Sequence, residues 1–485
     1  MPTIEFASRR GRIVLLATVL ASGVAFLDAT VVTVALPRIG TDLGAELEGL
    51  QWVLDAYLLT LAALVLVGGA LGDVLGRRRV FLAGVWGFAV ASALCAVAVD
   101  PGTLIAARAL QGVFAALLTP TSLAILSSSF TPQDRGRAIG AWAGLSGVTT
   151  AAGPFVGGWL VDAASWRWIF LLNIPLLAGA TVAALRGIAA EDGVRVAGLR
   201  ELLARVDLPG AGLSVLGLGL IVAPLIEVAR LPAWTVAGSV AAGAAVLACF
   251  VAYERRRRHP MLPPGLFRIR TFSVANMVTV VVYAALTGTN FLVVLALQRG
   301  LGYSALAAGA AMAPLTVILL LFSPRVGALL PKLGARPLLT TGSVVMASGL
   351  LLLSGINQGS SYVGGVLPGV LVMAAGLVLV VTPVTTTALT DAPSERQGVA
   401  SGTNNAVARV GGLLAVAVLP AAGGIAGTAA VEAGPLLAGV SAALRFAAVI
   451  CAAGGVIAWI GLRPQDCKHA PAETVPTAAH PRPAG

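Results

Sequence analysis

Runs of about twenty apolar residues recur along the whole chain, separated by short segments that carry the arginines. Each run is long enough to cross the hydrocarbon layer as an α-helix, which satisfies its own backbone N–H and C=O groups where no water can. A spanning barrel would need alternating segments of about ten residues, and the sequence has none. The fold class that follows is an all-α polytopic membrane protein. Composition agrees: 58% of the 485 residues are apolar and 11% charged, against about 25% charged in soluble domains.

The net charge of +11 does not point to nucleic acid, because the arginines sit in blocks between apolar runs and not on one face of a soluble domain. Spans are expected near 13–36, 52–72, 80–98, 103–127, 139–160, 168–186, 208–229, 233–253, 272–297, 305–329, 337–356, 362–388, 398–422 and 441–463, which makes fourteen transmembrane helices. Arg9, Arg10 and Arg12 precede a first run without a small-residue cleavage site, so that run reads as a retained span. With both termini cytoplasmic, the inner segments hold 25 Lys or Arg and the outer loops five. Basic residues beside span ends resist translocation, so this orientation is expected, in a bacterial cytoplasmic membrane.

The organisation reads as an N-terminal six-helix bundle over 1–190, a cytoplasmic loop and two inserted helices over 191–260, a C-terminal six-helix bundle over 261–463 and a disordered tail over 464–485. A faint repeat fits this division. Gly69-Ala-Leu-Gly-Asp73-Val-Leu-Gly76-Arg77-Arg78-Arg79 follows span 2, and Gly327-Ala-Leu-Leu-Pro-Lys332-Leu-Gly334-Ala-Arg336 follows span 10.

Several chemistries have no residues to support them. Cys95, Cys249 and Cys451 lie in separate spans and Cys467 in the tail, with no metal or disulfide spacing, so no metal site is expected. The two lysines, Lys332 and Lys468, follow Pro331 and Cys467, so no Gly-Lys-[Ser/Thr] loop is present to cradle ATP. A gradient is the expected energy source, with no cofactor.

Charges inside the spans carry the functional information, because lipid makes them expensive. Asp28 lies about 22 Å along span 1 and Arg108 about 8 Å from the outer end of span 4, at similar depth. This pair is the expected proton-coupling site, with a structural ion pair that orders the bundle as the alternative: burial favours the protonated acid and the arginine the ionised one. Asp55 sits about one turn into span 2, where capping the helix end and contacting cargo both remain open. Arg409, Phe26, Trp52 and Tyr57 are candidates for a cavity around a lipophilic cargo; for Arg409 snorkelling toward the cytoplasm stays open, and Trp and Tyr at span ends also serve as interfacial anchors. Glu227 and Arg230 read as a surface pair. In the loop, Gly69 and Gly76 permit a tight turn, Asp73 is expected near the start of span 3, and Arg77 and Arg78 hold the turn inside. In span 5, Pro154 interrupts one helical hydrogen bond while Gly153, Gly157 and Gly158 admit a neighbouring backbone.

Residues 69–79 resemble the loop signature of the major facilitator superfamily, G-x-L-x-D-x-x-G-R-[KR]. Leu104-x-x-x-Arg108-x-x-Gln111-Gly112 is similar to its span-4 motif, and Gly153-Pro154-x-x-Gly157-Gly158 to its antiporter motif, with Thr149 in place of a further glycine. Leu27-Asp28-Ala-Thr30 through Pro37, Gln51-Trp52-Val-Leu-Asp55-Ala-Tyr57, and Trp166-Arg-Trp168 through Asn173-Ile-Pro175 resemble the fourteen-span drug/proton antiporters. The resemblance implies two six-helix bundles rocking about a central cavity, with proton influx driving export of drug-like or antibiotic-like molecules. An importer or exporter of a small metabolite on the same fold, or a receptor without transport, remain the alternatives.

Overall fold

The computed structural model describes residues 4–189, 206–257, 260–393 and 396–464. Most of the 187–207 loop and nearly all of the 464–485 tail therefore lie outside the described residues. The described residues form helices joined by short turns, with one isolated bridge between Ile4 and Phe130.

The helices in chain order are α1 Arg9–Leu43, α2 Leu47–Leu75, α3 Arg77–Ala96, α4 Pro101–Ser129, α5 Pro132–Ala163, α6 Arg167–Leu171, α7 Asn173–Gly187, α8 Leu208–Ile226, α9 Ala233–Arg256, α10 Arg270–Leu295, α11 Ala305–Ala311, α12 Ala313–Leu333, α13 Ala335–Leu353, α14 Leu367–Thr390, α15 Gln397–Ala422 and α16 Ala433–Gly461. Two expected spans are each built of two helices. α6 and α7 meet at Leu172, just before Pro175, and α11 and α12 meet at Met312, just before Pro314, where proline removes a backbone donor. Counting such joined helices once, thirteen described segments are long and apolar enough to span a membrane. The 32-residue α5 equals them in length but not in hydropathy. Its glycines, hydroxyls and near-terminal charges are the reason.

Short connections make successive spans antiparallel, and this defines two faces. At the near face, where α1 begins, Arg10 donates to the Gly187 carbonyl at 2.9 Å and Arg270 to the Gly461 carbonyl at 2.6 Å. At the far face, Trp166 donates to Asp42 at 3.0 Å and Arg167 to the Ala98 carbonyl at 3.1 Å. There Asp100 caps α4 by accepting from Thr103 N at 2.9 Å, and that backbone bond holds its carboxyl below the usual range.

α1 packs on α5, α7 and α4, and α2 on α4; among the later helices, α14 packs on α13 and α12, and α10 on α15 and α16. Leu218, Val222 and Ile226 of α8 fill the groove between α2 and α15, against Leu59, Leu413 and Ala417. α9 leans on α8 and is the least buried of the spans.

The turn between α2 and α3 needs Gly76, whose φ of 95° suits a residue without a Cβ. Gly334, at φ 81°, makes the corresponding turn between α12 and α13. The sequence repeat thus coincides with a shared backbone device.

Candidate functional site: a buried ion pair and a glycine seam

Asp28 of α1 and Arg108 of α4 form a direct ion pair through Oδ2 and Nη1, and both side chains are sealed. A network surrounds them. Asp28 Oδ1 accepts from Asn173 Nδ2 at 3.2 Å and from Gln111 Nε2 at 3.4 Å. Ser92 Oγ accepts from the same two amides, at 3.2 and 2.8 Å. Arg108 donates from Nε to the Val53 carbonyl at 3.1 Å and from Nη1 to Gln111 Oε1 at 2.8 Å. Its guanidinium lies 4.3 Å from the centroid of the Tyr57 ring, within cation–π range. Tyr57 in turn donates to the Ala25 carbonyl at 3.1 Å. The two charges neutralise each other where water is excluded, so separating them would leave each buried without its counter-charge.

Gln111, Asn173 and Ser92 were not singled out by sequence as site residues. Gln111 stands three residues after Arg108 on the same helical face, which is a usable signal. Ser92 has none, since a serine in an apolar run reads as a small filler.

Asp55 differs from its sequence reading. α2 begins at Leu47, so Asp55 lies more than two turns inside the helix, and Glu48 occupies the first turn. A cap at the helix end is therefore excluded. Asp55 is fully buried and neither carboxylate oxygen has a hydrogen-bond partner among the described residues. Asp73 also moves: it belongs to the last turns of α2, two-thirds exposed, 3.3 Å from Arg77 at the start of α3. Glu227 pairs with Arg230 at 3.6 Å as expected, and Arg230 also pairs with Glu46. The carboxylates of Glu48 and Glu46 hold the Arg230 guanidinium above its ordinary value.

The aromatic candidates separate. Phe26 lies 5.6 Å from the Arg409 guanidinium, Tyr57 packs under Arg108, and half-buried Trp52 joins the apolar groove filled by α8.

The Gly-Pro cluster of α5 works on two faces. A Cβ on Gly153 would lie 2.0 Å from Thr30 Oγ1, and one on Gly157 2.8 Å from a Val31 methyl, so these two admit α1. A Cβ on Gly158 would lie 2.5 Å from Leu306 Cα, and one on Gly309 2.5 Å from the Pro154 carbonyl oxygen. That seam joins α5 to α11 near the far face. One turn on, Asp162 accepts from the Ala305 and Leu306 amides at 3.1 and 2.8 Å, satisfying two of the free N–H groups at the start of α11. Gln298 adds a bond to the Val34 carbonyl at 2.9 Å and Gln51 one to the Val416 carbonyl at 2.6 Å. The near half of α5 is different: Gly136, Gly140, Gly144 and Gly147 have nothing within 4 Å of a built Cβ. Sequence reading missed Asp162, which looks like an ordinary span-end charge.

Gly69 approaches Pro120, where a built Cβ would lie 3.6 Å from its Cβ, and Arg78 continues the basic turn at the start of α3.

Residues 18–416 match the Major Facilitator Superfamily. The chain is 35% identical over 406 residues to a probable actinorhodin transporter of Streptomyces coelicolor, covering 81% of this chain and 69% of that one. It is 35% identical over 415 residues to the multidrug resistance protein Stp of Mycobacterium tuberculosis, covering 85% and 76%. A crystal structure of a POT family transporter in complex with 5-aminolevulinic acid superposes with a TM-score of 0.69 over 94% of this chain and 98% of that one, at 14% identity, which speaks for the fold alone. The chain belongs to the Major Facilitator Superfamily, and is a membrane transporter of its drug-efflux kind, not an enzyme.

Proposed function

We propose that the protein exports lipophilic drug-like or antibiotic-like molecules in exchange for protons, by alternating access. The buried Asp28–Arg108 pair carries this reading, because an acid and a base sealed together inside the spans cost free energy that a purely structural role recovers poorly. The same reading takes 1–190 and 261–463 as the two rocking bundles, 191–260 as a loop with two inserted helices, and fourteen spans in all. The near face is then cytoplasmic, with both termini, in the bacterial cytoplasmic membrane. The names of the relatives, a transporter of actinorhodin and a multidrug resistance protein, support export over uptake.

Expression in a pump-deficient bacterial strain tests it. Resistance to several chemically unrelated lipophilic compounds is expected to rise at least about fourfold and to vanish with a protonophore, since one charge crossing 100 mV supplies about 2.3 kcal/mol. Resistance that persists without a proton gradient, or no flux of any compound, contradicts the proposal.

On this reading Asp73 biases the inward–outward equilibrium from outside the cavity. Asp73→Asn removes a half-exposed pair worth about 1 kcal/mol, so turnover is expected to fall by about fivefold. Cargo affinity is expected to change by less than about twofold, because Asp73 is remote from the cavity candidates. Parallel flux and binding assays check this, and equal losses in both would count against it.

A further inference from the structure

We propose that Arg409 is the charge-recognition site for cargo, and that the preferred cargo is a planar aromatic anion bearing a carboxylate or phenolate. This rests on the export reading.

Arg409 is the thirteenth residue of the 26-residue α15, about 18 Å from its start and so at mid-membrane. It is only partly buried. Among the described residues it has no salt-bridge partner, and its one hydrogen bond runs from Nε to Asn405 Oδ1 at 3.5 Å. Its neighbours belong to both halves of the chain. Its guanidinium lies 5.6 Å from the Phe26 ring of α1, a helix packed between α5 and α7, and within electrostatic reach of Tyr57 on α2 and Tyr283 on α10. It therefore faces the space between helices of the two halves.

The chain neutralises its one fully buried intramembrane arginine, Arg108, with Asp28, while Arg325 of α12 and Arg445 of α16 lie at exposed positions on their helices. For Arg409 it supplies no acid: Asp28 is committed to Arg108, and Asp55 is sealed. A cation at this depth is costly unless an anion completes it, and the free edge of the guanidinium fits a carboxylate in two-point fashion. Phe26 flanks the site with aromatic surface suited to a planar ring. A cationic cargo finds the reverse. The two acids of the interior, Asp28 and Asp55, are both at most 1% exposed, while the partly open charge is positive.

The test uses pyrenebutyrate, its methyl ester and pyrenemethylammonium, with binding to the solubilised full chain read by fluorescence anisotropy. Wild type is expected to hold the anion about tenfold more tightly than the ester, and the ammonium most weakly. Arg409→Gln should bring anion and ester within about twofold, and Arg409→Lys should keep part of the preference. Ester binding that persists in Arg409→Gln shows that the variant is folded. Preference for the ammonium, no binding of the anion, or an unchanged anion preference in Arg409→Gln overturns the proposal. Vesicle transport separates it from the export reading. Proton-linked pumping of the ammonium keeps export and rejects the anion site. Selective anion binding lost in Arg409→Gln, with no probe of any charge transported, keeps the site and rejects export.

Discussion

Asp28→Asn is expected to abolish uphill efflux while leaving downhill cargo exchange largely intact. The asparagine matches the protonated acid in shape and charge, so a vesicle carrying it cycles its cargo but has no carrier for the proton. In the structure the carboxylate is held by Arg108, Gln111 and Asn173, so the substitution also leaves Arg108 without its counter-charge. Breaking a buried pair from one side costs about 3–5 kcal/mol. Arg108 keeps the Val53 carbonyl and Gln111 Oε1 as acceptors, which places the expected loss at the lower end of that range. The double variant Asp28→Asn with Arg108→Gln removes the stranded cation and should regain most of the lost thermal stability, yet remain uncoupled. Recovery of stability without recovery of pumping separates coupling from folding. Uphill transport by Asp28→Asn would make the pair structural and move attention to Asp55.

Gly158→Leu should cost more than tenfold in efflux by wedging the far face open. The contacts that a Cβ would make there are with the backbone of Leu306, at 2.5 Å from Cα and 2.7 Å from N, and backbone atoms cannot rotate away. Steric overlap in a packed core costs about 1–3 kcal/mol; a clash with fixed backbone belongs to the upper part of that range, about 2–3 kcal/mol, which converts to a shift of roughly thirtyfold or more between the two access states. Spin labels at exposed Ala163 and Ala307, in a cysteine-free background, should report a longer distance in Gly158→Leu than in the parent. Gly140→Ala and Gly144→Ala, on the same helix where nothing lies within 4 Å, should leave both distance and efflux unchanged. Similar damage from all three would mean that α5 tolerates no side chains at all, and the seam would lose its special standing.

The elements with long apolar runs were legible in the sequence, because lipid imposes a length and a composition on every span. The same rule explains where the reading slipped. Helix ends that project beyond the hydrocarbon carry no apolar signature, so the expected span starts at 52, five residues after α2 begins at Leu47, and Asp55 reads as lying near a helix end. Asp73 reads as belonging near the start of α3, whereas the break falls at Gly76, because a run of Gly, Leu and Val does not reveal which side of a glycine the turn occupies. At the site, Asp28 and Arg108 stood out as charges in apolar surroundings. Their partners Ser92, Gln111 and Asn173 are neutral, and neutral polar residues are common in packed spans. Asp162 escaped because a charge at a span end has an ordinary interfacial explanation; only the approach of α11 from the other half gives it the Ala305 and Leu306 amides.

The central claim, that cargo and protons move in opposite directions through one cycle, is tested most directly in liposomes holding purified protein and an internal pH dye. A cargo gradient is imposed with no ion gradient present, and the membrane potential is clamped. Cargo running out of the vesicles should acidify the lumen, cargo running in should make it alkaline, and Asp28→Asn should give cargo flux without either change. Cargo flux in the parent protein with no pH change, at the rate seen in Asp28→Asn, would contradict the account.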